Sequence, residues 1–167
     1  MRFLFEVIRA DFRANRSRAH IFVLLVLFRI AHSCRGSDSR AFRLLAGIPA
    51  AVIYRSAGLF LFGVDIPTRT VIGSGLAVHH GFGLVVHADS RLGKNVTVRQ
   101  GVTIGALSGS HRAPVVADCV DIGVGALVIG DIKVGKSAVI GAGAVVIRDV
   151  VPGGIVVGNP ARALPPT

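Results

Sequence analysis

Aliphatic residues recur six positions apart through most of this chain, and that period restricts its fold more than any other feature. Ile66, Ile72, Val78 and Leu84 start the series, two extra residues intervene, and Leu92, Val98 and Ile104 resume it. After the irregular stretch 106–115 (ALSGSHRAPV), Val116, Ile122, Val128, Val134, Ile140 and Val146 continue it. A second column of small or β-branched residues runs two positions ahead, from Val96 and Val102 to Ala144 and Val150. Glycine follows the aliphatic residue at Gly73, Gly93, Gly105, Gly123, Gly135 and Gly141. A period of six fits neither a helix of 3.6 residues per turn nor a long strand of period two. It predicts a solenoid of short strands and tight turns, three strands to a coil, with the aliphatic residues inward and glycine supplying turn dihedrals.

The first 63 residues have a different rhythm. Phe3, Ile8 and Phe12, then Phe22, Leu25 and Phe28, recur at helical spacings among scattered arginines. Gly36 to Ser39 mark a turn with an N-cap for a segment beginning near Arg40, and Pro49 is expected to kink or break that segment. The sequence therefore divides into an α-helical segment, 1–63, and a β-solenoid domain, 64–167, with a loop at 106–115 and a tail from about 152.

Charge follows the same division. Residues 1–63 carry ten Arg against Glu6, Asp11 and Asp38, a net +7 of the total +10. Interleaved aromatics and nucleic-acid motifs are absent, so the charge reads as a solvated helical face or as contact with an anionic membrane surface or a partner. Two apolar runs, IFVLLVLF and LLAGIPAAVIY, end at Arg29 and Arg55 and read as too short to span a bilayer. Glu6 and Asp11 interrupt any signal-peptide pattern, and Cys34 and Cys119 form no metal spacing, so a reduced, cytoplasmic protein is expected.

Beyond the period, RIAH (29–32), FGVDI (62–66), HHGFGLVV (79–86), VTIG (102–105), RAP (112–114), IGVGALVIGDIKVG (122–135), IGAGAVV (140–146) and VGNPAR (157–162) stand in a specific order. In this the chain resembles the hexapeptide-repeat acyltransferases, and within them the serine acetyltransferase branch. The resemblance implies a left-handed parallel β-helix and an O-acetyltransferase using acetyl-CoA, assembled as a homotrimer with active sites between neighbouring β-helices. It implies His80 as general base and Asp65, fifteen residues earlier, as its support, with direct transfer in a ternary complex. The chemistry is coherent. A hydroxyl attacks a thioester once a base titrating near the working pH removes its proton, and a carboxylate fixes that base's tautomer. Fifteen residues fall just short of one eighteen-residue coil, which would put the pair on adjacent coils near one corner.

Two positions depart from the serine-specific pattern. His79 stands where that branch has an aspartate thought to hold the serine ammonium, and Arg112-Ala113-Pro114 replaces Arg-His-Pro, with His111 before the arginine. The double histidine, TVRQGVTIG (97–105) and the short helical segment resemble the colanic-acid and capsular polysaccharide O-acetyltransferases, whose acceptor is a sugar hydroxyl. The expected function is acetylation of a sugar or lipid-linked glycan in the cytoplasm or at the inner membrane face. Serine O-acetylation is the alternative. His79, His111 and Arg112 are the expected acceptor contacts; on alternation, His79 points to the opposite side of its strand from His80. Gly105, Val124 and Ala142 are expected along the pantetheine, and Lys136, Arg148 and Arg162 near the nucleotide phosphates. His87, at the two-residue insertion, reads as a surface residue. A zinc site of the γ-carbonic-anhydrase kind needs a further close histidine pair after His111, and the sequence has none.

Overall fold

In the computed structural model, which describes residues 2–108 and 112–165, three helices lead into a three-sided parallel β-helix. Helix α1 spans Arg2–Ala14, α2 spans Ala19–Arg35, and α3 runs from Arg40 to Leu61. Fifteen short strands follow among the described residues: β1 (Val64–Asp65), β2 (Val71–Ile72), β3 (Ala77–His79), β4 (Leu84–Val86), β5 (Arg91–Leu92), β6 (Thr97–Arg99), β7 (Thr103–Gly105), β8 (Val115–Val116), β9 (Asp121–Ile122), β10 (Leu127–Ile129), β11 (Lys133–Val134), β12 (Val139–Ile140), β13 (Val145–Val146), β14 (Ile155–Val157) and β15 (Arg162–Ala163). Every third strand stacks on the one before: β1-β4-β7-β10-β13 form face A, β2-β5-β8-β11 face B, and β3-β6-β9-β12 face C, which β14 joins two strands later because the last rung of face B is only a bridge at Val150. The strands of each face run parallel until β15 turns back antiparallel on β14.

The inward column is the one the period predicts. Ile72, Val78, Val98, Ile104, Ile122, Val128, Val134 and Ile140 are all buried, with Val96, Val102, Ala126, Ala138 and Ala144 filling the corners between them. At about 25 cal/mol per Å² of apolar area, such a column supplies the main driving force of the domain despite its small side chains.

The register relocates the insertion. Val85 pairs with Thr103 and Leu127 with Val145, steps of eighteen, whereas Val64 pairs with Leu84, Val71 with Arg91 and Ala77 with Thr97, steps of twenty. The extra two residues therefore lie between β3 (Ala77–His79) and β4 (Leu84–Val86), in the corner His80-Gly81-Phe82-Gly83, and not at His87. The six-residue count misleads here because Leu84 belongs to the second column, stacked on Val64, and Val86 carries the first.

Helix α3 is continuous through Pro49, contrary to the expected break. The turn before the proline widens, Ile48 N–H donating to Arg43 O, and Pro49 begins the next stretch, where its missing donor costs least. A second wide turn ends the helix, Phe62 N–H donating to Ala57 O at 3.2 Å. At twenty-two residues, α3 is long and apolar enough to cross a membrane by length and composition, which the two separate runs were not. Its inner face is nonetheless fixed to the protein. Tyr54 is buried against Phe28, and its hydroxyl donates to Ile66 O at 2.7 Å; burial pushes that phenol well above its usual range. Gly58 lies so close to Val64 O that a Cβ there would sit 2.9 Å from it.

Helices α1 and α2 cover the first coil through one buried polar cluster. Asp11 accepts from Gly75 N–H (2.8 Å) and Leu76 N–H (3.1 Å) and pairs with Arg29 Nε at 2.8 Å. Arg29 also donates to Ile72 O and Gly73 O, both at 2.6 Å. Asn15 donates to Leu76 O at 2.7 Å and accepts from Val78 N–H at 3.0 Å. From Ile72 to Val78, backbone groups that no preceding coil engages are thus bonded to side chains, as buried backbone requires.

Candidate active site

The corners between faces C and A form one continuous edge of the prism. On the later coils each is a residue followed by a left-handed glycine: Gln100-Gly101, Val124-Gly125 and Ala142-Gly143. They stack through Gly101 N–H to Phe82 O, Gly125 N–H to Gln100 O and Gly143 N–H to Val124 O, at 2.8 to 3.0 Å. The first corner is the enlarged one. His80 adopts φ 67°, a left-handed conformation unfavourable for a residue with a Cβ, and its side chain is exposed. The enlarged corner thus presents an exposed histidine where the next coil has the half-buried Gln100.

Asp65 lies on β1 of face A beside that corner, where Gly83 N–H bonds Gly63 O at 2.8 Å. Its carboxylate pairs with Arg55 of α3, and among the described residues it makes no hydrogen bond to His80. The spacing thus brings the two residues to one edge without closing the bond between them.

His79 is half-buried at the end of β3, beside Val78, whose side chain is in the core. The expected opposition of the two histidines does not hold, because His80 has left the strand and both side chains lie outside the core. Arg18 Nη1 meets His79 Nδ1 at 2.6 Å, and on the next coil Arg99, paired in register with His79, forms an ion pair with Asp121 and bonds Ile122 O at 3.1 Å. Burial first, then the positive charges of Arg18 and Arg99, hold His79 below its usual pKa against the opposing pull of Asp121. Since arginine only donates, Nδ1 accepts, and Nε2 keeps the proton. Neither Arg18 nor Arg99 was singled out in the sequence; Arg18 lies sixty-one residues from its partner.

Of the residues expected along acetyl-CoA, Val124 and Ala142 are exposed on the His80 edge, and a Cβ added at Gly125 or Gly143 would meet nothing within 4 Å. The edge therefore offers bare backbone to an elongated molecule, which fits a pantetheine arm. Gln100, between His80 and Val124 on that edge, has a buried side-chain oxygen with no partner among the described residues. A polar residue in a corner column of small ones was the sequence signal for it. Gly105 ends β7 at the opposite edge of face A. Arg148 and Arg162 line one recess at the far end of the prism, while Lys136 stands exposed on the B–C edge, apart from both. Arg112 is exposed and pairs with Asp131 at 3.1 Å beyond Gly130, so within one chain it lies across face A from His80. His111 lies outside the described residues. His87, half-buried, accepts from Asp89 N–H at 3.2 Å. No metal-holding group of His, Cys, Asp and Glu occurs among the described residues.

No protein-family model matches the chain. Among curated proteins, the putative colanic acid biosynthesis acetyltransferase WcaB of Escherichia coli K12 is 32% identical over 154 residues, 91% of this chain and 95% of that protein. The serine acetyltransferase of Mycobacterium tuberculosis is 41% identical over 120 residues, 69% of this chain and 52% of its own length. The chain thus spans about half of that enzyme and nearly all of WcaB. Among solved structures, soybean serine acetyltransferase superposes with a TM-score of 0.82 at 34% identity, covering 96% of this chain and 69% of that one. These likenesses set the class, that of acyltransferases built on a parallel β-helix. The chain belongs to the serine acetyltransferase-like family of hexapeptide-repeat acyltransferases.

Proposed function

We propose that this protein is an acetyl-CoA-dependent O-acetyltransferase whose acceptor is a sugar hydroxyl of a cell-surface glycan. The observation that carries the sugar reading is the Arg18–His79–Arg99 cluster beside His80. An amino-acid acceptor brings an ammonium, which needs a carboxylate of its own; here Asp121 is taken by Arg99, and Asp65, shared with Arg55, is assigned to the base. A neutral imidazole offering Nε2–H suits a hydroxyl or an anionic oxygen instead. The near-complete coverage of WcaB supports the same choice.

In this reading His80 takes the proton of the acceptor hydroxyl as its oxygen attacks the thioester carbonyl. The tetrahedral intermediate collapses to the acetyl ester, and the departing thiolate of coenzyme A takes the proton back from the imidazolium. Asp65, oriented by Arg55, supplies the negative charge that steadies the imidazolium. Acetyl-CoA lies along the C–A edge over Gln100, Val124 and Ala142, with Arg148 and Arg162 toward its phosphates; Lys136 and Gly105 are not needed. His80 and Arg112 lie on opposite edges of face A, which supports a homotrimer in which the neighbouring subunit brings its 106–115 loop, with His111 and Arg112, to this subunit's His80. The basic, apolar helical segment supports an acceptor carried on lipid at the cytoplasmic face of the membrane.

Serine O-acetylation is the second reading, favoured by the 41% identity to a serine acetyltransferase. Thiol release from acetyl-CoA, measured with L-serine against a panel of nucleotide sugars and oligosaccharides, separates the two. Turnover with sugars and little with serine is expected, and robust turnover with serine alone would overturn the sugar reading.

A further inference from the structure

The outward face of α3 is an apolar stripe interrupted by Ser56. Leu45 is 80% exposed and Phe60 84%, and Phe42, Ile48, Val52, Ile53 and Leu59 are exposed along the same side. Their spacing keeps them within one helical face, opposite the buried Gly47, Tyr54 and Gly58. A contiguous exposed patch of this kind marks a contact surface. The charge around it says which kind. Residues 39 to 64 contain Arg40, Arg43 and Arg55 and no acidic residue. At the edge of the stripe, Arg35 of α2 and Arg43 of α3 line one recess with Ile48 and Thr68. A second copy docked on this stripe about a two-fold axis would bring the same arginines against these, whereas an anionic headgroup layer complements them.

We infer that α3 docks on an anionic lipid surface, its Leu45-to-Phe60 stripe in the headgroup and acyl boundary and the Arg35–Arg43 recess on lipid phosphate. The helix lies on the bilayer and does not cross it, although its length would allow crossing. Its other side is committed to the protein through Tyr54–Ile66 and Arg55–Asp65, so lipid cannot surround it. The second of these contacts ties the docked helix to the carboxylate beside His80. The inference goes beyond the catalytic reading, and its test uses neither donor nor acceptor, so either can fail alone.

The test is flotation of the purified full chain with vesicles of phosphatidylcholine alone or mixed with phosphatidylglycerol, at low and high salt. The chain should float with the anionic vesicles, weakly with the neutral ones, and come off as salt rises. Leu45→Glu with Phe60→Glu should lower partitioning by roughly tenfold or more, with helicity by circular dichroism unchanged. Arg35→Gln with Arg43→Gln, which leaves the stripe intact, should remove the preference for phosphatidylglycerol. Three results would overturn the inference: no flotation of the unmodified chain, equal flotation of the Leu45/Phe60 variant, or no effect of salt and the arginine pair. If the unmodified chain fails to float and the Leu45/Phe60 variant sediments as a smaller species, the stripe belongs to a second copy.

Discussion

Arg18 Nη1 lies 2.6 Å from His79 Nδ1, so an arginine just before α2 makes that nitrogen the acceptor and adds its charge to the burial that already disfavours protonation of the ring. The contact turns a ring that would otherwise titrate near neutrality into a fixed donor through Nε2.

Arg18→Ala should therefore raise the pKa of His79 toward the ordinary value of about 6.5. The sign for stability follows from linkage. With the folded pKa depressed, the unfolded chain binds the proton more readily, so stability falls as pH drops through the unfolded value and is restored as pH rises. The variant should lose less stability than the parent between neutral and mildly acidic pH. Following the His79 ring protons by NMR, with urea unfolding at two pH values, checks both. If His79 titrates alike in both proteins, Arg18 has no such control.

The same substitution should raise KM for the acceptor by about tenfold, the size of one charge-assisted hydrogen bond, while leaving KM for acetyl-CoA unchanged. Arg18→Lys should restore part of the loss. Initial rates with each substrate varied in turn would separate this from a general loss of fold.

His80→Gly should stabilise the protein while removing its activity. A non-glycine residue at φ 67° costs about 1 kcal/mol, part of which glycine's greater unfolded-state freedom takes back, so a small rise in Tm is expected. Thiol release should fall by about a hundredfold or more. A variant that keeps its rate shows that His80 is not the base.

How far the sequence disclosed this arrangement can be traced residue by residue. The six-residue period carried the solenoid because an inward aliphatic side chain is a repeated, local requirement: Val98, Ile122 and Ile140 each meet it independently. The enlarged corner escaped because Leu84 satisfies both columns, and burial cannot tell which one it serves. The continuity of α3 escaped because proline is normally read as a stop, while a wide turn before it removes the clash. Arg18, Arg55 and Arg99 read only as surface charge, since their partners depend on which coils the helices pack against. His79 and His80 were visible as a pair, but their directions were not, because alternation ends where the backbone turns left-handed.

Gln100→Ala should raise KM for acetyl-CoA a few-fold with no loss of stability, since the side-chain oxygen it removes is buried and has no partner among the described residues. Coenzyme A binding by calorimetry, set beside thermal unfolding, is the check. An unchanged affinity would remove Gln100 from the donor site.

Asp11→Ala should destabilise the fold by about 3–5 kcal/mol, because it strands the buried Arg29 guanidinium and frees two strand N–H groups. Replacing Arg29 by Met in the same chain should recover part of that. Chemical denaturation of the two variants decides it, and equal stability of Asp11→Ala and the parent would refute the claim.

The cluster of Asp11, Asn15 and Arg29 has a consequence for assembly as well. A parallel β-helix is a ladder that could in principle add rungs without limit, and its first coil is a template for another strand. Asn15, donating to one strand carbonyl and accepting from a strand N–H two residues on, imitates the peptide unit that such a rung would present. At the opposite end, β15 arrives antiparallel and breaks the repeat. The chain thus carries counterfeit rungs that occupy both ends of its own ladder. They keep a fold with the geometry of a fibre at the length of a single enzyme.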